Sequence, residues 1–259
     1  MMSPLTPVVL NEQWAYSIHI MHSYTIPSTF FGETTIFHYP AKKETNRAIL
    51  ILKGLYGEHI PSGINNKQSW DNQLVDALKV EYNLFLIKTG RYNTNDKKKA
   101  FVGKTYQQEC DDIQHAFKFC QEKISKHNFH WGSVAMSFGG TTLIGCPDIL
   151  NTMLGVVMIS SGSGRSPTTT KPLLSTLPDT IDLLKPISEF KGLLYFLHGG
   201  QDSVVPLESQ KKIYDSATKC FSRGWIEFPH LDHELSDPIN GVSQITSIVK
   251  KFIPLILSE

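Results

Sequence analysis

At 259 residues the chain has the length of one α/β domain, and with 41% hydrophobic and 19% charged residues it is not a mainly disordered polypeptide. Twenty-five Lys and Arg against 24 Asp and Glu leave a formal charge of +1, without the broad basic face that nucleic-acid or membrane-surface binding needs. No apolar run approaches the roughly 18 residues of a membrane span, so neither nucleic acid nor a membrane span is expected.

Residues 1–13, MMSPLTPVVLNEQ, lack the basic n-region and apolar core of a secretory signal. Cys110, Cys120, Cys146 and Cys220 form no Cys-x-x-Cys pair. A cytoplasmic protein with reduced thiols is therefore expected, as a monomer or homodimer. Residues 14–20 and 30–38, rich in Thr, Ile and aromatics, predict an antiparallel pair of strands. Residues 48–52 (AILIL) and 83–87 (NLFLI) are short continuous apolar runs that suit strands buried on both faces. Between them Trp70, Leu74, Ala77 and Leu78 recur at helical spacing. Lys97–Lys99 lie in a polar stretch and read as a solvated loop.

Thr105 and Gln108 make a capping box, followed by one apolar helix face of Tyr106, Cys110, Ile113, Phe117, Cys120 and Ile124. A strand at 131–137 stops at Phe138-Gly139-Gly140, and further buried strands are predicted at 155–160, 192–198 and 225–228. Val242, Ile245, Val249, Phe252 and Ile256 mark a closing amphipathic helix. Strands alternating with helices imply one α/β domain over 1–259, with a mostly parallel central sheet and helices on both faces. Ligands of such sheets bind beyond the carboxyl ends of the strands.

Three strand ends carry candidate chemistry. Ser137 lies on a sharp strand-to-helix turn, with the small residues Ala135 and Gly139 two positions either side. Such a turn lifts the hydroxyl above the sheet and points the next N–H, that of Phe138, at whatever the serine attacks. His198-Gly-Gly-Gln-Asp202-Ser-Val-Val-Pro206 places a carboxylate just past a second strand, where it could equally cap the following helix. Phe228-Pro-His230-Leu-Asp232-His233 places two histidines past a third. Serine, aspartate and histidine in that order, at one sheet edge, supply a nucleophile, an orienting acid and a general base.

On these motifs the chain, from about residue 45 to 259, resembles the α/β-hydrolases. The resemblance implies Ser137 as nucleophile, Asp202 as acid and His233 as base in preference to His230. It also aligns Lys53-Gly54-Leu55-Tyr56-Gly57 with the family's His-Gly oxyanion loop, a lysine replacing the histidine. That position implies an oxyanion hole made by the N–H groups of Leu55 and Phe138, with Gly54 and Tyr56 as substrate contacts. Arg91 is expected to be structural, the alternative being recognition of a substrate carboxylate. His127-x-x-His130 and His230-x-x-His233 have ligand-like spacing but no further ligands in a recognisable pattern, so neither metal nor cofactor is expected.

Family members insert a cap after the sixth strand. Here residues 161–190 leave room only for a short rim, expected to include Leu173, Leu174, Leu177 and Leu183, and no large lid domain. An open site suits a small-molecule or acylated substrate. The resemblance implies a serine esterase or thioesterase acting through an acyl-enzyme; an acyltransferase, peptidase or lyase on the same fold, or a non-catalytic binding protein, is the alternative.

Overall fold

In the computed structural model, which describes residues 21–30, 32–55, 69–90, 103–124, 128–164, 173–239 and 241–258, the apolar runs form the middle of the sheet. Strands β1 (His22–Pro27) and β2 (Glu33–Tyr39) precede β3 (Arg47–Leu52), helix α1 (Trp70–Leu78) and β4 (Asn83–Lys88). Then come α2 (Tyr106–Phe119), β5 (His130–Met136), α3 (Phe138–Ile144), α4 (Pro147–Thr152) and β6 (Met153–Ile159). The chain continues through α5 (Thr180–Glu189), β7 (Leu193–Gly199), α6 (Leu207–Ser216), β8 (Ser222–Phe228), α7 (Ile245–Val249) and α8 (Ile253–Ile256).

The eight strands lie in the order β1-β2-β4-β3-β5-β6-β7-β8. The first two pairings are antiparallel and all the others parallel. The chain leaves β3 for β4 on one side and returns to β5 on the other, so the strand order reverses between β3 and β5. That is where a doubly wound sheet opens a crevice at its carboxyl edge.

Side chains alternate across the sheet with period two. Ala48, Leu50 and Leu52 of β3 join a core with α2 to α6, while Ile49 and Ile51 join the core beneath α1, α7 and α8. In α2 the Thr105 hydroxyl accepts the Gln108 N–H at 3.2 Å and the Gln108 side chain accepts the Thr105 N–H at 2.9 Å, completing the capping box.

Three features depart from the sequence reading. The strand that precedes β2 and pairs with it is 22–27, and residues 14–20 lie outside the described residues. The closing helix is two short helices: the turn at residues 250–252 separates them, and Pro254, which has no N–H to donate, sits in the first turn of α8. Val242 precedes both and is 59% exposed.

A buried ion cluster went unread. Lys104, 1% exposed, donates from Nζ to Glu109 and to Asp112 at 2.7 Å each and to the Gly90 carbonyl at 3.2 Å. Asp112 also accepts the Ser28 hydroxyl at 2.6 Å and the Thr29 N–H at 2.5 Å. Burial alone would raise the Asp112 pKa, but Lys104, Ser28 and Thr29 overrule it and hold the carboxyl below its ordinary range.

His38 on β2 is 7% exposed and stacks on Phe85, ring centroids 4.4 Å apart. Asn83, beside it, spends its amide on Ala41, Thr45 and Arg47. Burial pulls the His38 pKa from 6.5 down to about 4. The unfolded chain therefore binds a proton here that the folded chain refuses. Stability is full above the ordinary histidine pKa and is lost as the pH falls from about 6.5 toward about 4, by up to about 3 kcal/mol. The thermal midpoint should fall between neutral pH and about pH 5, and His38→Phe, which keeps the stack, should narrow that fall. An identical fall in both proteins would assign the acid lability to other groups.

Candidate active site

β5 ends at Met136 and α3 starts at Phe138, so Ser137 alone makes the turn, at φ 52° and ψ −122°. An L-residue in this region costs on the order of 1–3 kcal/mol and persists only where its surroundings enforce it. The Ser137 N–H donates to the Ile159 carbonyl at 2.7 Å, and its own carbonyl accepts from Gly140 at 3.0 Å and Thr141 at 3.3 Å. The turn presses on the end of β3: a Cβ on Gly139 would lie 2.5 Å from the Leu52 carbonyl oxygen and 2.8 Å from that of Lys53. Backbone atoms cannot yield there, so the position requires glycine. Ala135, fully buried in β5, takes the other small position.

Asp202 follows β7 in a tight turn. Its Oδ1 accepts the N–H groups of Val204 at 2.8 Å and Val205 at 2.9 Å. Its Oδ2 faces His233 Nδ1 at 2.9 Å, and His233 Nε2 faces the Ser137 hydroxyl at 3.0 Å. Burial would raise the Asp202 pKa, but the His233 hydrogen bond, the Val205 and Val204 N–H groups and the His233 charge together bring it below its ordinary value. The ionised carboxylate only accepts, so the proton belongs on His233 Nδ1, leaving Nε2 to accept from Ser137.

Two neighbours on the histidine loop lie outside this chain of bonds. Asp232 accepts the N–H groups of Glu234 at 2.9 Å and Ser236 at 2.8 Å, capping the turn that carries His233. His230 is exposed on the same loop.

Gly54 follows β3 beside Ser137. A Cβ there would lie 3.3 Å from Ser137 Cβ and 3.6 Å from its hydroxyl oxygen. Leu55 and Phe138 line, with Ser137, a cleft of about 330 Å³. Lys53 donates at 2.8 Å to buried Asp71 in the first turn of α1. Tyr56, Arg91 and His127 lie outside the described residues. Of the four expected rim leucines, Leu174 and Leu177 line the cleft. Leu173 and Leu183 instead join the core, because the segment 173–189 packs its apolar side onto the helices beside the sheet.

No protein-family model matches the sequence, and no curated protein matches it. Solved structures do. Est1E from Butyrivibrio proteoclasticus superposes with a TM-score of 0.65 at 12% identity, covering 92% of this chain and 99% of its own. The esterase domain of a Rhodothermus marinus protein gives 0.61 at 10% identity, covering 92% and 100%. A sugar hydrolase from Lactococcus lactis gives 0.64 at 14%, covering 91% and 98%. Est1E has also been solved with ferulic acid bound.

The chain has the α/β-hydrolase fold.

In this α/β-hydrolase fold the candidate acid has a neighbour that sequence reasoning missed. Gln210 of α6, fully buried, donates from Nε2 to Asp202 Oδ2 at 3.0 Å and to the Val205 carbonyl at 2.9 Å. The available signal was weak: a polar residue on the inward face of an amphipathic helix, shortly after the acid loop.

Proposed function

We propose that this protein is a serine hydrolase that cleaves carboxylic ester or thioester bonds through an acyl-enzyme on Ser137. The observation that carries the reading is the hydrogen-bond chain from Ser137 through His233 to Asp202, beside a cleft and on a strained turn. In the reading, His233 Nε2 takes the Ser137 proton as the oxygen attacks the carbonyl carbon. The N–H groups of Leu55 and Phe138 face the developing oxyanion. His233 then protonates the leaving alcohol or thiol, and afterwards takes a proton from the water that cleaves the acyl-enzyme. Asp202 keeps the Nδ1–H tautomer and balances the imidazolium charge.

A cleft of about 330 Å³ with Leu55, Phe138, Leu174 and Leu177 on its walls, beside Glu208 and Lys212, favours a compact acyl group. Thr180 and Ser209 add hydroxyls to the same cleft. Fluorophosphonate labelling followed by peptide mapping tests the nucleophile. Turnover of nitrophenyl esters of rising acyl length, with a ferulate ester added because of the ligand seen in Est1E, tests the substrate class. Absence of labelling together with absence of turnover across the panel would favour a binding protein.

The oxyanion loop has its own test. Gly54→Val places a branched side chain against Ser137 and displaces the Leu55 N–H. It should lower kcat by about 10² to 10³, the usual cost of one oxyanion donor, with little change in KM. A pure KM effect would assign the loop to substrate binding.

A further inference from the structure

Resting on that serine-hydrolase reading, we propose that Gln210 and His198 are positioning residues that fix the Asp202 carboxylate for His233. The hydrogen bonding determines each group's orientation. Asp202 Oδ2 and the Val205 carbonyl can only accept, so both must face the Gln210 NH₂ group, which leaves Gln210 Oε1 as an acceptor. The atom opposite Oε1, at 3.1 Å, is His198 Nδ1, which must therefore carry a proton. His198, the last-but-one residue of β7, is 3% exposed and its ring lies 5.6 Å from that of Trp225. A continuous path thus runs from β7 through His198, Gln210, Asp202 and His233 to Ser137.

The path adds something the acid loop cannot supply. Among the described residues, Oδ1 accepts from Val204 and Val205, within its own loop. Oδ2, the oxygen that meets His233, receives its second donor from helix α6. Gln210 ties the carboxylate to that helix, and His198 prevents the amide from turning over and presenting Oε1 to the carboxylate. Two buried side chains whose polar atoms match one another donor to acceptor are costly to disturb, because truncating one strands the other.

Gln210→Met keeps the volume and removes both donors. It should lower kcat about tenfold at nearly constant KM, the order expected for losing a hydrogen bond to a charged group, and should displace the far-downfield Nδ1–H proton resonance of His233. His198→Leu should lower kcat in the same way. His198→Asn should recover most of the loss, since the Asn amide nitrogen can stand near the histidine Nδ1. Wild-type kcat in Gln210→Met, or His198→Asn as impaired as His198→Leu, would overturn the proposal. Nitrogen chemical shifts of the unaltered protein decide the matter even where a variant fails to fold: His198 protonated on Nδ1 supports the path, and a bare Nδ1 overturns it. These shifts do not depend on turnover. If the wild-type protein neither labels nor hydrolyses esters, the hydrolase reading falls, while the tautomer still reports on the path.

Discussion

Ser137→Ala should abolish ester turnover and fluorophosphonate labelling while the thermal midpoint moves by only a few degrees. The backbone strain at φ 52° is imposed by the bonds to Ile159, Gly140 and Thr141 and by the fit of Gly139 against β3, none of which involves the hydroxyl. Among the described residues, the hydroxyl bond lost is the one to His233 Nε2. Removing a triad nucleophile typically lowers kcat by about 10⁶, with the residue of catalysis coming from binding and the oxyanion site. Turnover near the wild-type rate would dismiss Ser137 as nucleophile and the acyl-enzyme with it.

The second large effect separates two histidines three residues apart. His233→Ala should come close to the serine variant in loss of kcat, because nucleophile and base act as one unit and their effects do not add. His230→Ala should retain most activity, since its ring is exposed and the Ser137 and Asp202 bonds belong to His233. Measuring both variants at several pH values guards against mistaking a shifted optimum for a dead enzyme. A silent His233→Ala with an inactive His230→Ala would reverse the assignment.

The central strands were legible because burial on both faces leaves uninterrupted apolar runs such as residues 48–52, which have few other readings. Ser137, Asp202 and His233 could be read as a group because each follows a separate strand of one parallel region, and parallel strands deliver their carboxyl ends to the same edge. β1 was not legible: HSYTIP is short, has one buried residue and ends in proline, which only an edge strand tolerates. Lys104, Glu109 and Asp112 carry no local signal of burial, because nothing in the adjacent sequence tells a buried ion pair from a solvated one. Gln210 was hidden for the same reason: its partners lie on β7 and on the acid loop, and only the assembled fold brings them to it.

That Lys104 cluster bears on how the molecule opens. It joins the turn after β1, the loop after β4 and the first turns of α2. The terminal strand of a sheet ordinarily frays first, its amides exchanging through small local openings. Here, lifting the residues after β1 away from α2 would strip the Ser28 hydroxyl and the Thr29 N–H and hydroxyl from the Asp112 carboxylate and leave its charge beside Lys104 less well matched. Each hydrogen bond lost to a charged group costs about 1.5–3 kcal/mol. These bonds couple the β1–β2 hairpin to α2, and the two should open together. Slow solvent exchange should extend to a strand whose place in the sheet would otherwise make it the fastest.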